Sequence, residues 1–373
     1  MQRGSVLGLK GWNHAGLQVR GRRGEKQKIA RTWKMRRKAR DCRIAERMEK
    51  SMKFAIMGPG RIAHSMARTV AQMPGVECYA VASRSIERAQ EFAKEWGFEK
   101  AYGSYEELVN DPQVELIYVA TPHSHHYACT KLCLEHNKPA LVEKAFTVNA
   151  AQAEELLQLS REREVFLTEA FWTRFMPARV MIEELLERDI IGEVTSVTAS
   201  FGVPLEHKER MVKPELAGGA LLDLGVYPLN FALMFVKSPV KGVVSTAVLS
   251  PEGVDWANSV TLIFENGCLA LLHSNMRSQT HNEGILYGRK GRIEVKGTNN
   301  IEAITVYDNT GAVLEQLEIP KQISGYEYEV EACMEAIQQG KAECEQMPHS
   351  ETLRVMALLD TIREQWGMRF PCE

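Results

Sequence analysis

The sequence predicts an α/β domain built on a doubly wound parallel sheet, followed by an α+β domain with a large, mainly antiparallel sheet. Three observations carry this. Between about residues 52 and 173, short apolar runs alternate with helical stretches, the signature of βαβ units. Gly58-Pro59-Gly60 stands between the first strand and the first helix, where such a unit turns. After about residue 176 strand-like runs dominate, and no helical pattern interrupts residues 240–319. Strands that follow one another without crossover helices pair antiparallel.

In chain order, residues 53–57 read as a short apolar strand ended by the glycine turn. Ile62, Met66, Val70 and Met73 recur at helical spacing. Residues 76–83 read as a strand, and 86–96 as a helix with Ala89, Phe92, Ala93 and Trp96 on one face. Ser104, with Glu107 three residues on, predicts a capping box for a short helix through Asn110. Residues 114–120 are apolar and β-branched enough for a buried strand. A helix over 124–136, a strand over 140–143, a helix over 149–163 capped by Asn149 and a strand over 165–169 complete the alternation. These five strands, with a sixth that the alternation requires but no clear pattern delimits, make six within about 120 residues and suit a Rossmann-type sheet.

The second region opens with a helix over 178–186. Strands are predicted at 194–203, 240–249, 258–264, 268–275, 284–287, 292–295, 303–307 and 313–319. Asn266-Gly267 is a two-residue hairpin signal. Helices over 326–339 and 350–366 are expected to pack back on the body. The division expected is therefore a basic extension over 1–51, a dinucleotide-binding domain over 52–173 and a substrate and oligomerisation domain over 174–373.

The net charge of -2 conceals an asymmetry: residues 1–51 carry 16 Lys and Arg against 4 Asp and Glu, and the rest 30 against 44. The first 51 residues lack an apolar core segment or a clear helical face, and Met52 stands directly before a clean strand. We therefore expect a disordered or non-native extension, with a basic arm or a targeting segment as alternatives. The acidic remainder gives no reason to seek nucleic acid. No apolar run approaches the roughly 18 residues of a membrane span, so a cytoplasmic protein without a membrane partner is expected. Eight cysteines include no C-x-x-C pair, which fits free thiols.

Gly58-Pro59-Gly60-Arg61-Ile62-Ala63 is G-x-G-x-x-A. The first glycine makes the turn, the second admits a pyrophosphate, and Ala63 lets helix and strand pack closely. Where an NAD site carries an acid after its second strand, this chain has Ala82-Ser83-Arg84. Arg84 can pair with a 2′-phosphate and Ser83 can donate to it, so NADP is expected over NAD.

Thr121, Pro122, His123 and His126 follow a parallel strand, where cofactor contact is expected and a metal is not. Glu143 and Lys144 end the next strand at the same sheet edge. Lys144 reads either as a proton donor or clamp beside a reacting hydroxyl, or as surface decoration. Asp223 and Tyr227, four apart after Gly218-Gly219, share one helix face. They can relay a proton, or cap the helix and fill the core.

At these residues the chain resembles the Gfo/Idh/MocA oxidoreductases over essentially all of residues 52–373. The carrying motifs are Gly58-x-Gly60-x-x-Ala63, Thr121-Pro122 with His126, Glu143-Lys144, and Gly218-Gly219 with Asp223. Glu169-Ala170-Phe171-Trp172-Thr173-Arg174-Phe175 and Gly225-Val226-Tyr227-Pro228 are similar to the branch of dimeric dihydrodiol dehydrogenase and NADP-dependent D-xylose dehydrogenase.

The resemblance implies an open-faced second sheet that supports a homodimer, a substrate site between the domains, and NADP-linked oxidation or reduction at a sugar or cyclic diol hydroxyl. It makes Lys144 the active-site lysine and Tyr227 the acid/base group, with Asp223 orienting and Trp172 and Arg174 shaping the pocket. In this reading Gly58, Gly60, Arg61 and Ile62 hold the pyrophosphate, and Lys144 lowers the pKa of Tyr227. A redox-neutral glycosidase and a non-catalytic dinucleotide sensor are the alternatives. Three departures stand out: Ala145 replaces the proline usual after Glu-Lys, His123 replaces the asparagine usual after Thr-Pro, and residues 1–51 have no counterpart in the family.

Overall fold

A computed structural model describes residues 51–373, and the expectations for the basic extension lie outside these described residues. The first sheet has six parallel strands in the order β3-β2-β1-β4-β5-β6. They are β1 (Met52–Met57), β2 (Val76–Ala82), β3 (Lys100–Tyr102), β4 (Leu116–Val119), β5 (Ala140–Glu143) and β6 (Leu167–Ala170). Helices α1 (Arg61–Val70), α2 (Ile86–Trp96), α3 (Tyr105–Asn110), α4 (His123–Glu135) and α5 (Ala150–Arg163) alternate with them. The strand order reverses between β1 and β4, which is the point where such sheets bind ligands.

Local chemistry explains the helix starts. Ser85, Ser104 and Asn149 each accept the backbone N–H three residues on, from Arg88, Glu107 and Gln152. Glu107 reaches back to the N–H of Gly103 rather than of Ser104, so the box is displaced by one residue. Pro122 stands at the N-cap of α4, and the helix begins at His123, one residue earlier than its sequence pattern suggested.

The second sheet has eight strands in the order β14-β13-β12-β11-β7-β10-β9-β8. These are β7 (Val194–Gly202), β8 (Val240–Leu249), β9 (Asp255–Phe264), β10 (Leu269–Asn275), β11 (Glu283–Gly288), β12 (Gly291–Lys296), β13 (Ala303–Asp308) and β14 (Val313–Leu317). All neighbours pair antiparallel except β7 with β10.

The remaining helices are α6 (Pro177–Glu187), the single turn α7 (Glu209–Val212), α8 (Val226–Phe235), α9 (Glu327–Gln338) and α10 (His349–Gln365). Every residue of α8 is buried, and it lies against β7 and β10. The stretch Pro214–Phe235 is apolar enough by composition to cross a membrane, yet 94% of its most apolar window is buried inside this protein. Asp360 of α10 accepts the Ala150 N–H at 2.7 Å, and Arg363 donates to the Val148 carbonyl at 2.9 Å. The last helix thus ties both sheets together, since Gln365 also bonds to Ser245 of β8.

Candidate active site

At the carboxyl end of β1 the chain must turn sharply beside β4. Gly58 has φ +95°, and a Cβ there would lie 3.0 Å from Thr121 Cγ2 and 3.3 Å from the Ala120 carbonyl. A side chain is excluded by conformation and by space. Gly60 caps α1 with no side-chain bond, and the first turn of α1 holds no acid. Its N–H groups and partial positive charge are left for an anion.

Across the cleft, the buried hydroxyl of Thr121 has no hydrogen-bond partner. Ser83 is buried at the end of β2, and Arg84 beyond it is exposed. Burial, with the Arg84 charge adding to it, holds the His125 imidazole below its ordinary range. These residues fit a dinucleotide: Gly58, Gly60, Arg61 and Ile62 at the pyrophosphate, Thr121 and Pro122 on the facing wall, and Ser83 with Arg84 at the ribose phosphate.

The two histidines, expected at the cofactor, face backbone carbonyls. His126 Nδ1 lies 2.8 Å from the Ala145 carbonyl and Nε2 2.8 Å from the Thr121 carbonyl. His123 Nδ1 lies 3.1 Å from the Ala217 carbonyl. Burial pushes His123 down to about 3 and His126 down to about 4, so both are neutral at pH 7. A neutral His126 ring carries one N–H and donates to one of these two carbonyls, while both ring nitrogens face backbone oxygen. It fixes the loop after β5, including the cis Lys144–Ala145 peptide bond, although the proline usual there is absent. His123 ties α4 to the chain just before Gly218-Gly219.

Glu143 faces inward. It forms a short hydrogen bond with the Tyr118 hydroxyl, accepts the Lys144 N–H at 3.1 Å, and burial raises its pKa. It therefore braces Lys144 from behind.

Lys144 Nζ donates to the Asp223 carbonyl at 2.7 Å and to Asp223 Oδ1 at 3.3 Å, and lies 4.9 Å from the centre of the Tyr227 ring. Arg210 holds the same carboxylate with both terminal nitrogens, at 3.0 and 3.1 Å. Burial opposes ionisation of Asp223, but the charges of Lys144 and Arg210 keep its carboxyl well below the usual range. Asp223 is thus a permanent anion that fixes the ammonium.

The Tyr227 hydroxyl accepts the Trp172 indole N–H at 3.0 Å, between the rings of Phe171 and Phe201. Burial pushes its phenol well above the ordinary value. The Lys144 ammonium is engaged with Asp223 and sits over the ring face rather than at the hydroxyl, and burial outweighs the lowering expected of it.

Trp172 joins this cluster and stacks on Tyr326 at 4.3 Å. Arg174 is not brought to it. Its guanidinium is held by Asn230 Oδ1 and Glu351 Oε2, both at 2.9 Å, and lines a separate cavity.

The double glycine has a specific cause. A Cβ on Gly218 would come 2.5 Å from the Met211 carbonyl oxygen. Gly219 has φ +115°, and a Cβ there would lie 2.3 Å from Asp255 Oδ1. Asp255 Oδ2 accepts the Leu221 N–H at 2.9 Å and the Asn258 amide at 2.8 Å. A buried carboxyl, pushed up to about 7 by burial, thus anchors the π-type turn Leu221–Gly225 that carries Asp223 into α8 and Tyr227.

Sequence reasoning missed Arg210, Asp255 and Tyr326. Arg210 lies on the single turn α7, and nothing local marked it. Asp255 and Tyr326 reach the site from 32 and 103 residues beyond Asp223, without a motif.

A phosphate-ready helix start at the switch point and a charged Lys–Asp pair on a buried tyrosine at the adjacent sheet edge define a class, the dinucleotide-dependent oxidoreductases. Residues 52–171 match the oxidoreductase family with NAD-binding Rossmann fold, and residues 180–299 match the GFO/IDH/MocA C-terminal domain. The chain belongs to the Gfo/Idh/MocA oxidoreductase family.

It is 32% identical to a trans-1,2-dihydrobenzene-1,2-diol dehydrogenase of Danio rerio, over 85% of this chain and 98% of that one. It is 33% identical to a D-xylose 1-dehydrogenase (NADP+) of Hypocrea jecorina, over 86% and 93%. Among solved structures, the 3-ketoreductase KijD10 of Actinomadura kijaniata, in complex with NADP and TDP-benzene, superposes with a TM-score of 0.78 at 25% identity, over 84% of this chain and 98% of that one.

Proposed function

We propose that the protein is an NADP-dependent dehydrogenase or reductase acting on a CH–OH carbon of a sugar or cyclic diol, with its catalytic division near residue 173. The observation that carries this is the placement of Lys144, Asp223 and Tyr227 at the β5 edge, next to the acid-free start of α1. When bound, the nicotinamide supplies or accepts the hydride. Tyr227, kept protonated by burial, would donate its proton to the developing alkoxide in reduction and become a phenolate; the oxidation starts from that phenolate, which takes the hydroxyl proton back. Lys144 holds positive charge beside that oxygen, and Asp223 and Arg210 fix where the charge stands. Trp172 holds the Tyr227 hydroxyl and forms one pocket wall with Tyr326.

A screen of aldoses, inositols and cyclic diols with NADP and NAD, read by the absorbance of reduced nicotinamide, tests this reading. With an aryl glycoside added to the screen, sugar released from it without any absorbance change would turn the reading into the redox-neutral glycosidase.

Cofactor choice rests on Arg84 and on the lack of an acid after β2. A charge-assisted hydrogen bond contributes about 1.5–3 kcal/mol. Arg84→Ala is therefore expected to raise the KM for NADP by about tenfold or more and to leave that for NAD nearly unchanged. Equal effects on both cofactors would remove Arg84 from the 2′-phosphate.

The open face of the second sheet supports a homodimer. Val244 of β8 and Leu271 of β10 face each other across Thr261, with Thr198 and Ile285 continuing the row. Val244 is 60% and Leu271 50% exposed, which is unusual for large aliphatic side chains in the middle of a sheet. Leu271→Asp would bury a charge in such an interface and is expected to yield monomers in light scattering. A wild-type chain that is already monomeric at micromolar concentration counts against the dimer. The partners proposed are thus a small sugar or diol and a second copy of the chain, in the cytoplasm, with no nucleic acid and no membrane.

A further inference from the structure

A cavity of about 500 Å³ opens outside the catalytic cleft, where α6, the end of α8 and the start of α10 meet. Four cations line it: Arg174, Arg179, Lys237 and Arg354. They share two carboxylates. Glu183 bridges Arg179 at 3.0 Å and Lys237 at 3.1 Å. Glu351 bridges Arg174 at 2.9 Å and Arg354 at 2.6 Å. Glu345, also in the lining, pairs with Lys341 outside it at 2.6 Å. Each cation has a carboxylate partner, but four cations share two carboxylates, which leaves an excess of two positive charges.

The remaining walls include Leu233, Val236 and Pro348. Apolar walls thin out water and strengthen the field of the arginines. The Arg174 side chain is only 6% exposed, and the Nε groups of Arg179 and Arg354 are buried without a partner. Buried guanidinium groups normally have their donors satisfied, so this wall is under-supplied with acceptors.

The cavity does not belong to the cofactor or to the Tyr227 cluster. Trp172 and Arg174 sit on one turn but diverge, the first to the Tyr227 hydroxyl and the second into this wall. Arg174 also bonds Asn230, three residues past Tyr227 on α8.

We propose that this cavity is a second ligand site, for a compact dianion of the phosphate-monoester or dicarboxylate type. Two anionic oxygen groups match the excess of two positive charges, and planar guanidinium groups suit either geometry.

The test is titration calorimetry on the full chain saturated with NADP, so that the cofactor's own phosphate sites are filled. Inorganic phosphate and succinate are the two probes, with sodium chloride at matched ionic strength as the blank. Saturable one-to-one binding of either probe is expected, and the better probe names the class. Arg354→Gln and Lys237→Gln are each expected to weaken it at least tenfold while leaving the Kd for NADP unchanged. Lys237 is 69% exposed, so its substitution does not threaten the fold. Heats that match the chloride blank for both probes overturn the site. So does binding that survives both substitutions.

Discussion

Lys144→Met is expected to lower kcat at least about a hundredfold, the scale of a positioned acid/base or charge at a reacting oxygen. The ammonium is braced at the β5 edge by the Asp223 carbonyl and carboxylate. Methionine keeps the length and removes the charge. Tyr227→Phe is expected to cost a similar factor by removing the proton donor. It also leaves the buried Trp172 N–H unpaired, worth about 1–3 kcal/mol, so its melting temperature has to be measured beside its kcat. The Kd for NADP should change little in either variant, because neither side chain lies at the α1 start. Should both enzymes keep near-full kcat, the roles given to Lys144 and Tyr227 are wrong.

Gly219→Ala is expected to destabilise the protein by about 3 kcal/mol or more, through a strained φ together with overpacking. The new Cβ would lie 2.3 Å from Asp255 Oδ1, the carboxyl that holds the Leu221 N–H. Either the turn Leu221–Gly225 or Asp255 must move, and Asp223 rides on that turn. A fall in Tm on the order of 10 °C and a loss of kcat should appear together. Gly311→Ala is the control. Its φ of +85° is also positive, but nothing lies within 4 Å of a Cβ there. About 1–2 kcal/mol is expected from φ alone. Equal losses at the two positions would show that Asp255 does not depend on the space at Gly219.

The strand–helix alternation before residue 173 and the eight strands after it were legible because each is a local signal of period and turn chemistry. β3 carries only three residues, too few to show a period, and was counted without a range. The parallel pairing of β7 with β10 was not legible, since the choice of neighbour depends on packing against α8 rather than on either strand's own pattern.

The sequence by itself determined the Rossmann unit, the acid-free end of β2, and the identity of Lys144, Asp223 and Tyr227, because motifs act through neighbouring backbone. Only the tertiary structure decided what surrounds them. It turned Arg174 away into a second cavity and set His126 on two carbonyls. It brought Arg210 to Asp223, and pressed Gly219 onto a buried Asp255. It also reversed the expected effect on Tyr227, since burial raises its phenol while Asp223 occupies the lysine. These outcomes depend mostly on contacts between residues distant in sequence, 13 apart for Arg210 with Asp223 and 36 for Gly219 with Asp255, and on desolvation, which exists only once the chain has closed around the group.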